Sequence, residues 1–181
     1  YSNEEEVTLE GVTSPNMTVE VFKGEEVATT VTADAEGKFS APVTLTGGEN
    51  TFTSRVTTER GYSETSAPVT VIYDADAPVL TITSPEDGSK SNRETVTVTG
   101  NIDDAYLDAV TVNGQKATVT NGKYSKRILL EEGLNVITVK ATDLAGNVTE
   151  QSVTIDVGYT APEITNLVPT ENKTLLSGDT V

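Results

Sequence analysis

The sequence predicts an all-β protein made of two tandem β-sandwiches, and three observations carry that prediction. First, Val and Thr dominate the chain, and both prefer pleated, half-buried surfaces. Second, apolar and polar residues alternate with period two. In Gly133–Thr142, residues Asn135, Ile137, Val139 and Ala141 share one parity, and Val136, Thr138 and Lys140 the other. That is the pattern of a strand with one buried face. Third, the chain repeats itself. Gly37-Lys38-Phe39 returns as Gly122-Lys123-Tyr124, Gly48 as Gly133 and Gly61 as Gly146, all at one constant spacing.

Composition sets the outer bounds. With 181 residues the chain is long enough for one large domain or two small ones. Aromatic residues make up 5% and Trp is absent, which suits small aliphatic sheet cores. The net charge of −16, from 28 acidic and 12 basic residues, repels nucleic-acid phosphates and anionic lipid. No stretch approaches the roughly 20 apolar residues of a membrane-spanning helix. High acidity, β-modules and the lack of Cys together fit export from a Gram-positive bacterium, so a secreted or cell-surface location is expected. The chain opens on Tyr1 and is expected to be a piece of a longer polypeptide.

The second copy reads as seven strands. Val79–Thr83 is the first, ended by Ser84-Pro85, and residues 86–93 read as a polar loop. Thr95–Gly100 is the second strand and Ala109–Asn113 the third. Asn113-Gly114 reads as a two-residue hairpin turn, because both residues tolerate positive φ. Lys116–Thr120, Lys123–Leu130, Gly133–Thr142 and Val148–Val157 complete the set, with Asn121-Gly122 as a second turn. Seven short strands separated by turn signals predict a sandwich.

The first copy starts late. Glu5-Glu6-Val7 aligns with Glu94-Thr95-Val96, so a counterpart of the first strand is missing. The tail carries a spare: Ala161-Pro162-Glu163-Ile164 repeats Ala77-Pro78-Val79-Leu80, and Pro169 repeats Pro85. The expected organisation is module 1 over residues 1–73 without its first strand and a linker over 74–78. Module 2 follows over 79–157, and 158–181 holds a linker and the leading strand of a third module. Both linkers end in Pro, which favours extended geometry; a semi-rigid rod is expected.

Here a resemblance enters. Ala77–Pro85, Val112-Asn113-Gly114, Gly133–Ile137 and Thr142–Asn147 resemble the bacterial immunoglobulin-like or fibronectin-III-like repeats of secreted Gram-positive proteins. The wording is similar to the repeats that follow the catalytic domain in bacillopeptidase F-like subtilisin-type serine proteases. The resemblance covers nearly the whole chain and implies an immunoglobulin-like sandwich attached to an exported protein. The paired Cys, the core Trp and the corner Tyr of immunoglobulin domains are missing; Asn50 and Asn135 stand at the corner.

For chemistry the reading is mostly negative. Without His or Cys there is no Ser-His-Asp triad, no Cys nucleophile and no His-bound zinc. Asp103 and Asp104 form a carboxylate pair, but in a predicted loop and without a counterpart in copy one. No enzyme activity and no obligatory cofactor are expected. Calcium is the remaining candidate, with Asp74 and Asp76 in the first linker and Asp143 and Asn147 in a loop near a module end. The competing reading makes Asp143–Asn147 a hairpin loop with Gly146 at positive φ. Lys126, at an inward parity position, is a remote candidate for a Lys–Asn isopeptide bond; a Lys reaching out from a sheet edge is the simpler reading. Asn16, Asn147 and Asn172 begin formal glycosylation triplets and read most simply as turn residues.

Two functional expectations follow. The leading one is a non-catalytic spacer or binding region of an exported bacterial protein, with a parent protease domain or a cell-surface ligand as partner. The alternative is a head-to-tail filament, in which Pro162, Ile164, Leu167 and Val168 of one chain's tail (residues 161–181) complete the open module of the next.

Overall fold

A computed structural model describes residues 1–58 and 61–158. Module 1 contains β1 (Glu6–Val12), β2 (Thr18–Lys23), β3 (Glu26–Thr32), β4 (Lys38–Thr44), β5 (Gly48–Thr58), β6 (Gly61–Tyr62) and β7 (Val69–Tyr73). Module 2 contains β8 (Val79–Ser84), β9 (Ser89–Ser91), β10 (Thr95–Asp103), β11 (Leu107–Val112), β12 (Gln115–Lys116), β13 (Thr118–Thr120), β14 (Lys123–Leu129), β15 (Gly133–Asp143) and β16 (Val148–Val157). The architecture is all-β, as the alternation predicts.

Each module has its own aliphatic core between two sheets. In module 2 the sheets run β13-β14-β10-β8 and β12-β11-β15-β16-β9. Their inward residues, among them Leu80, Val98, Val110, Tyr124, Ile137 and Val139, form one buried cluster. In module 1 a two-stranded β1-β4 sheet faces β3-β2-β5, with β6 and β7 also pairing β5. Its buried cluster is smaller: Val19, Val21, Ala41, Val43, Leu45 and Phe52.

The turn chemistry behaves as read. Asn113 and Gly114 sit at φ 47° and 77°, and Asn121 and Gly122 at 49° and 70°. Two details depart from the sequence reading. Residues 86–93, expected as a plain loop, include β9, which pairs in parallel with β16 through Ser89↔Ile155 and Ser91↔Val157. The strand expected over 116–120 is split: β12 pairs β11 and β13 pairs β14, so the chain crosses between sheets at Ala117. A polar Ser-Lys-Ser run carries no alternation signal, and its pairing is supplied wholly by the neighbouring strand. Module 1 repeats the parallel edge contact in miniature as Ser2↔Tyr73.

The corner residues explain the repeated Gly-x-Asn phrase. The Asn50 side chain, 1% exposed, accepts from the Thr46 N–H at 2.8 Å and donates to the carbonyls of Thr46 (2.7 Å) and Gly48 (2.8 Å). Asn135 does the same with Glu131 and Gly133. Each amide staples the loop before its strand, satisfying backbone groups that a tight corner leaves unpaired. Lys126 is half-buried, with Val98 as its cross-strand partner, so the register places no Asn opposite it. The tail residues Pro162, Ile164, Leu167 and Val168 lie outside the described residues.

Candidate functional site at the module junction

The two modules meet where β7 leads through residues 74–78 into β8. Several contacts hold this segment. Pro78 is among the most deeply buried residues of the chain. The Asn147 amide donates to the Asp74 carbonyl at 2.8 Å and to the Asp76 carbonyl at 3.4 Å, tying the linker to the β15–β16 loop. Tyr1 of module 1 packs edge-on against Tyr106 of module 2, with ring centroids 5.3 Å apart.

Asp143 organises the module 2 side. It is 3% exposed, and its Oδ1 accepts from the N–H groups of Gly146 (2.7 Å) and Asn147 (2.8 Å). Its Oδ2 accepts from the Asn147 amide at 2.8 Å. The loop reading of Asp143–Asn147 therefore accounts for three acceptor bonds of this carboxylate, and Gly146 takes the positive φ the turn needs, at 95°. Asn147 is committed as a donor to carbonyls and to Asp143.

Three carboxylates nonetheless converge. Asp74, Asp104 and Asp143 each offer an oxygen within 4.8 Å of the others. Asp104, in the β10–β11 loop, accepts from the Tyr106 N–H at 2.7 Å. Loss of hydration raises its carboxyl above the usual range; the charges of Asp143, Asp74 and Asp103 push the same way, and the Tyr106 bond opposes. A cleft of about 690 Å³, lined by Gly48, Tyr73, Asp74, Asp103, Asp104 and Tyr106 among others, opens beside them.

Of the residues singled out in the sequence, the structure brings Asp74, Asp143 and Asn147 together. The Asp76 carboxylate is not a member of the three-carboxylate group, although its backbone carbonyl takes part in the junction. Sequence reasoning missed Asp104 as a member. Asp103-Asp104 was visible as a carboxylate pair, but nothing in the sequence places the β10–β11 loop against the linker.

The fold places the chain among tandem immunoglobulin-like, fibronectin-III-like modules. The fibronectin(III)-like modules of Clostridium thermocellum CbhA superpose with a TM-score of 0.56 at 18% identity, covering 86% of each chain. A three-immunoglobulin-domain structure of a titin variant superposes with a TM-score of 0.53 at 13% identity, covering 84% of this chain and 60% of that one. Residues 78–159 match the family described as glucodextranase, domain B.

One similar protein is Bacillopeptidase F of Bacillus subtilis (strain 168). The chain is 46% identical to it over 181 residues, which is all of this chain and 13% of that protein. The chain is thus a non-enzymatic pair of modules, similar to one segment of a much longer peptidase. Among the described residues, no helix is long and apolar enough to cross a membrane.

Proposed function

We propose that this chain is a spacer and accessory region of an exported bacterial protease, holding other parts of the polypeptide at a set distance outside the cell. The observation that carries it is the built junction. A linker as short as residues 74–78 is bonded at two carbonyls by Asn147 and flanked by the Tyr1–Tyr106 contact, so inter-module freedom is restricted on both sides. Residual dipolar couplings on the full chain test this. One alignment tensor should fit both modules; independent tensors of different magnitude would show a loose hinge and end the spacer reading.

A divalent cation such as calcium at the junction is a second reading, favoured by the convergence of Asp74, Asp104 and Asp143. Hard oxygen ligands suit calcium, and an ion there would relieve mutual repulsion of the three acids. A ligand present at a hundred times its dissociation constant stabilises by about 2.7 kcal/mol. Calcium would therefore raise the unfolding temperature over that in chelator, and Asp104→Asn would remove the effect. An unfolding temperature indifferent to calcium at millimolar concentration retires this reading.

A further inference from the structure

The sequence contains two Asn-Gly pairs, Asn113-Gly114 and Asn121-Gly122. Both form two-residue hairpin turns, because Asn and Gly accept the positive φ that such a turn requires. Their backbones are nearly alike, with φ of 47° and 77° at the first pair and 49° and 70° at the second. All four residues are exposed to water. The first turn joins β11 to β12 and the second joins β13 to β14.

The two asparagines differ in what holds them. The Asn113 N–H donates to the Thr138 carbonyl at 2.8 Å, and its Oδ1 accepts from the Thr138 N–H at 2.8 Å. That pair of bonds fixes the side chain against β15. Among the described residues no hydrogen bond reaches the Asn121 side chain. The Gly122 carbonyl accepts from the Ile102 N–H at 2.9 Å, which anchors the turn, while the Gly122 N–H finds no acceptor among the described residues. Asn121 therefore combines a free side-chain amide, a free backbone nitrogen on the next residue and open access of water. Glycine at that next position leaves no side chain in the way of ring closure.

We propose that Asn121 is a self-modification site, converting to aspartyl and isoaspartyl forms in the folded chain while Asn113 is protected. The Gly122 nitrogen attacks Asn121 Cγ. A C–N bond forms, the side-chain nitrogen leaves as ammonia carrying the Gly122 proton, and a five-membered imide closes. Water, the one other reactant, then opens the ring at either carbonyl, and no electron donor or acceptor takes part. Opening at the main-chain carbonyl routes the backbone through the former side chain and lengthens it by one carbon. A two-residue turn closing on Thr120↔Lys123 is not built for that extra atom. Thr118, Val119 and Thr120 of β13 are all exposed, so the ladder with β14 is what holds this strand, and it loosens with the turn. Asn113 is protected because its side chain must leave Thr138 before it can reach the Gly114 nitrogen; one bond of ordinary net strength corresponds to about fivefold in population. This assignment is independent of the spacer reading.

The test is tryptic peptide mapping of the full chain after prolonged incubation in mildly alkaline buffer, native and in concentrated urea. Cleavage after Lys116 places the two asparagines on different peptides. In the native chain Asn121 should gain one mass unit about fivefold faster than Asn113, with the isoaspartyl form resolved by chromatography. Urea should abolish the difference. Amide exchange at Thr118–Thr120 should quicken in the native chain as conversion proceeds. Asn121→Gly keeps a residue suited to φ 49° and removes the reacting amide, so it should hold both mass and edge exchange constant. A native chain in which Asn113 converts as fast as Asn121 overturns the proposal, as does conversion of Asn121 in urea alone. Edge exchange that quickens equally in Asn121→Gly would overturn the assigned consequence for β13.

Discussion

Replacing Asn50 by Ala should destabilise module 1 and leave module 2 alone. The side chain is 1% exposed and makes three bonds to backbone groups, with a fourth contact from the Thr46 hydroxyl at 3.2 Å. Each net hydrogen bond contributes about 1 kcal/mol, and an orphaned buried partner adds to the loss. Thr46 is itself exposed, so water recovers part of it. The balance is about 2–3 kcal/mol. For a module of this size each kcal/mol moves the midpoint by about 4–8 °C, so a fall of about 10–20 °C is expected. Differential scanning calorimetry reads it directly, because separate cores should unfold as two transitions. Asn135→Ala is the internal control. Asn135 is only half-buried, so its loss should lower the other transition by a smaller amount. A shift below about 3 °C for Asn50→Ala, or equal movement of both transitions, would refute the corner-staple reasoning.

Two further outcomes follow from the same contacts. Tyr124→Phe removes the bond to the Thr81 carbonyl and should lower the module 2 transition by about 4–8 °C, the worth of about 1 kcal/mol; burial already pushes this phenol up to about 12, so it plays no part in titrations near neutrality. Asp104 has a raised carboxyl pKa in the folded chain, so its ionisation opposes folding. That penalty is absent below the ordinary carboxylate range and grows as pH rises through the folded value. Asp104→Asn should therefore match the parent near pH 3 and exceed its unfolding temperature at pH 7, by a few degrees at most because the group is partly solvated. An identical difference at both pH values would remove the electrostatic account.

The relation to Bacillopeptidase F gives these modules a setting. The chain spans 13% of that protein's length.

Much of this was legible in the residues themselves. Most strand positions followed from period-two alternation and the turns from Asn-Gly pairs, because each is a local consequence of side-chain geometry. The corner role of Asn50 and Asn135 was visible as a recurring position, though not as a bonding pattern. The rest needed the third dimension. A Ser-Lys-Ser segment becomes β9 because β16 presents an edge beside it, and no local propensity announces that. Asp104 joins Asp74 and Asp143 although neither lies near it in sequence, because the junction folds the linker against two separate loops. The sequence alone determined the all-β class and most of the strand and turn positions, since alternation and turn chemistry are written along the chain. Only the tertiary structure decided which carboxylates meet and which polar segments pair at the sheet edges, since proximity across sheets and between modules depends on register and packing.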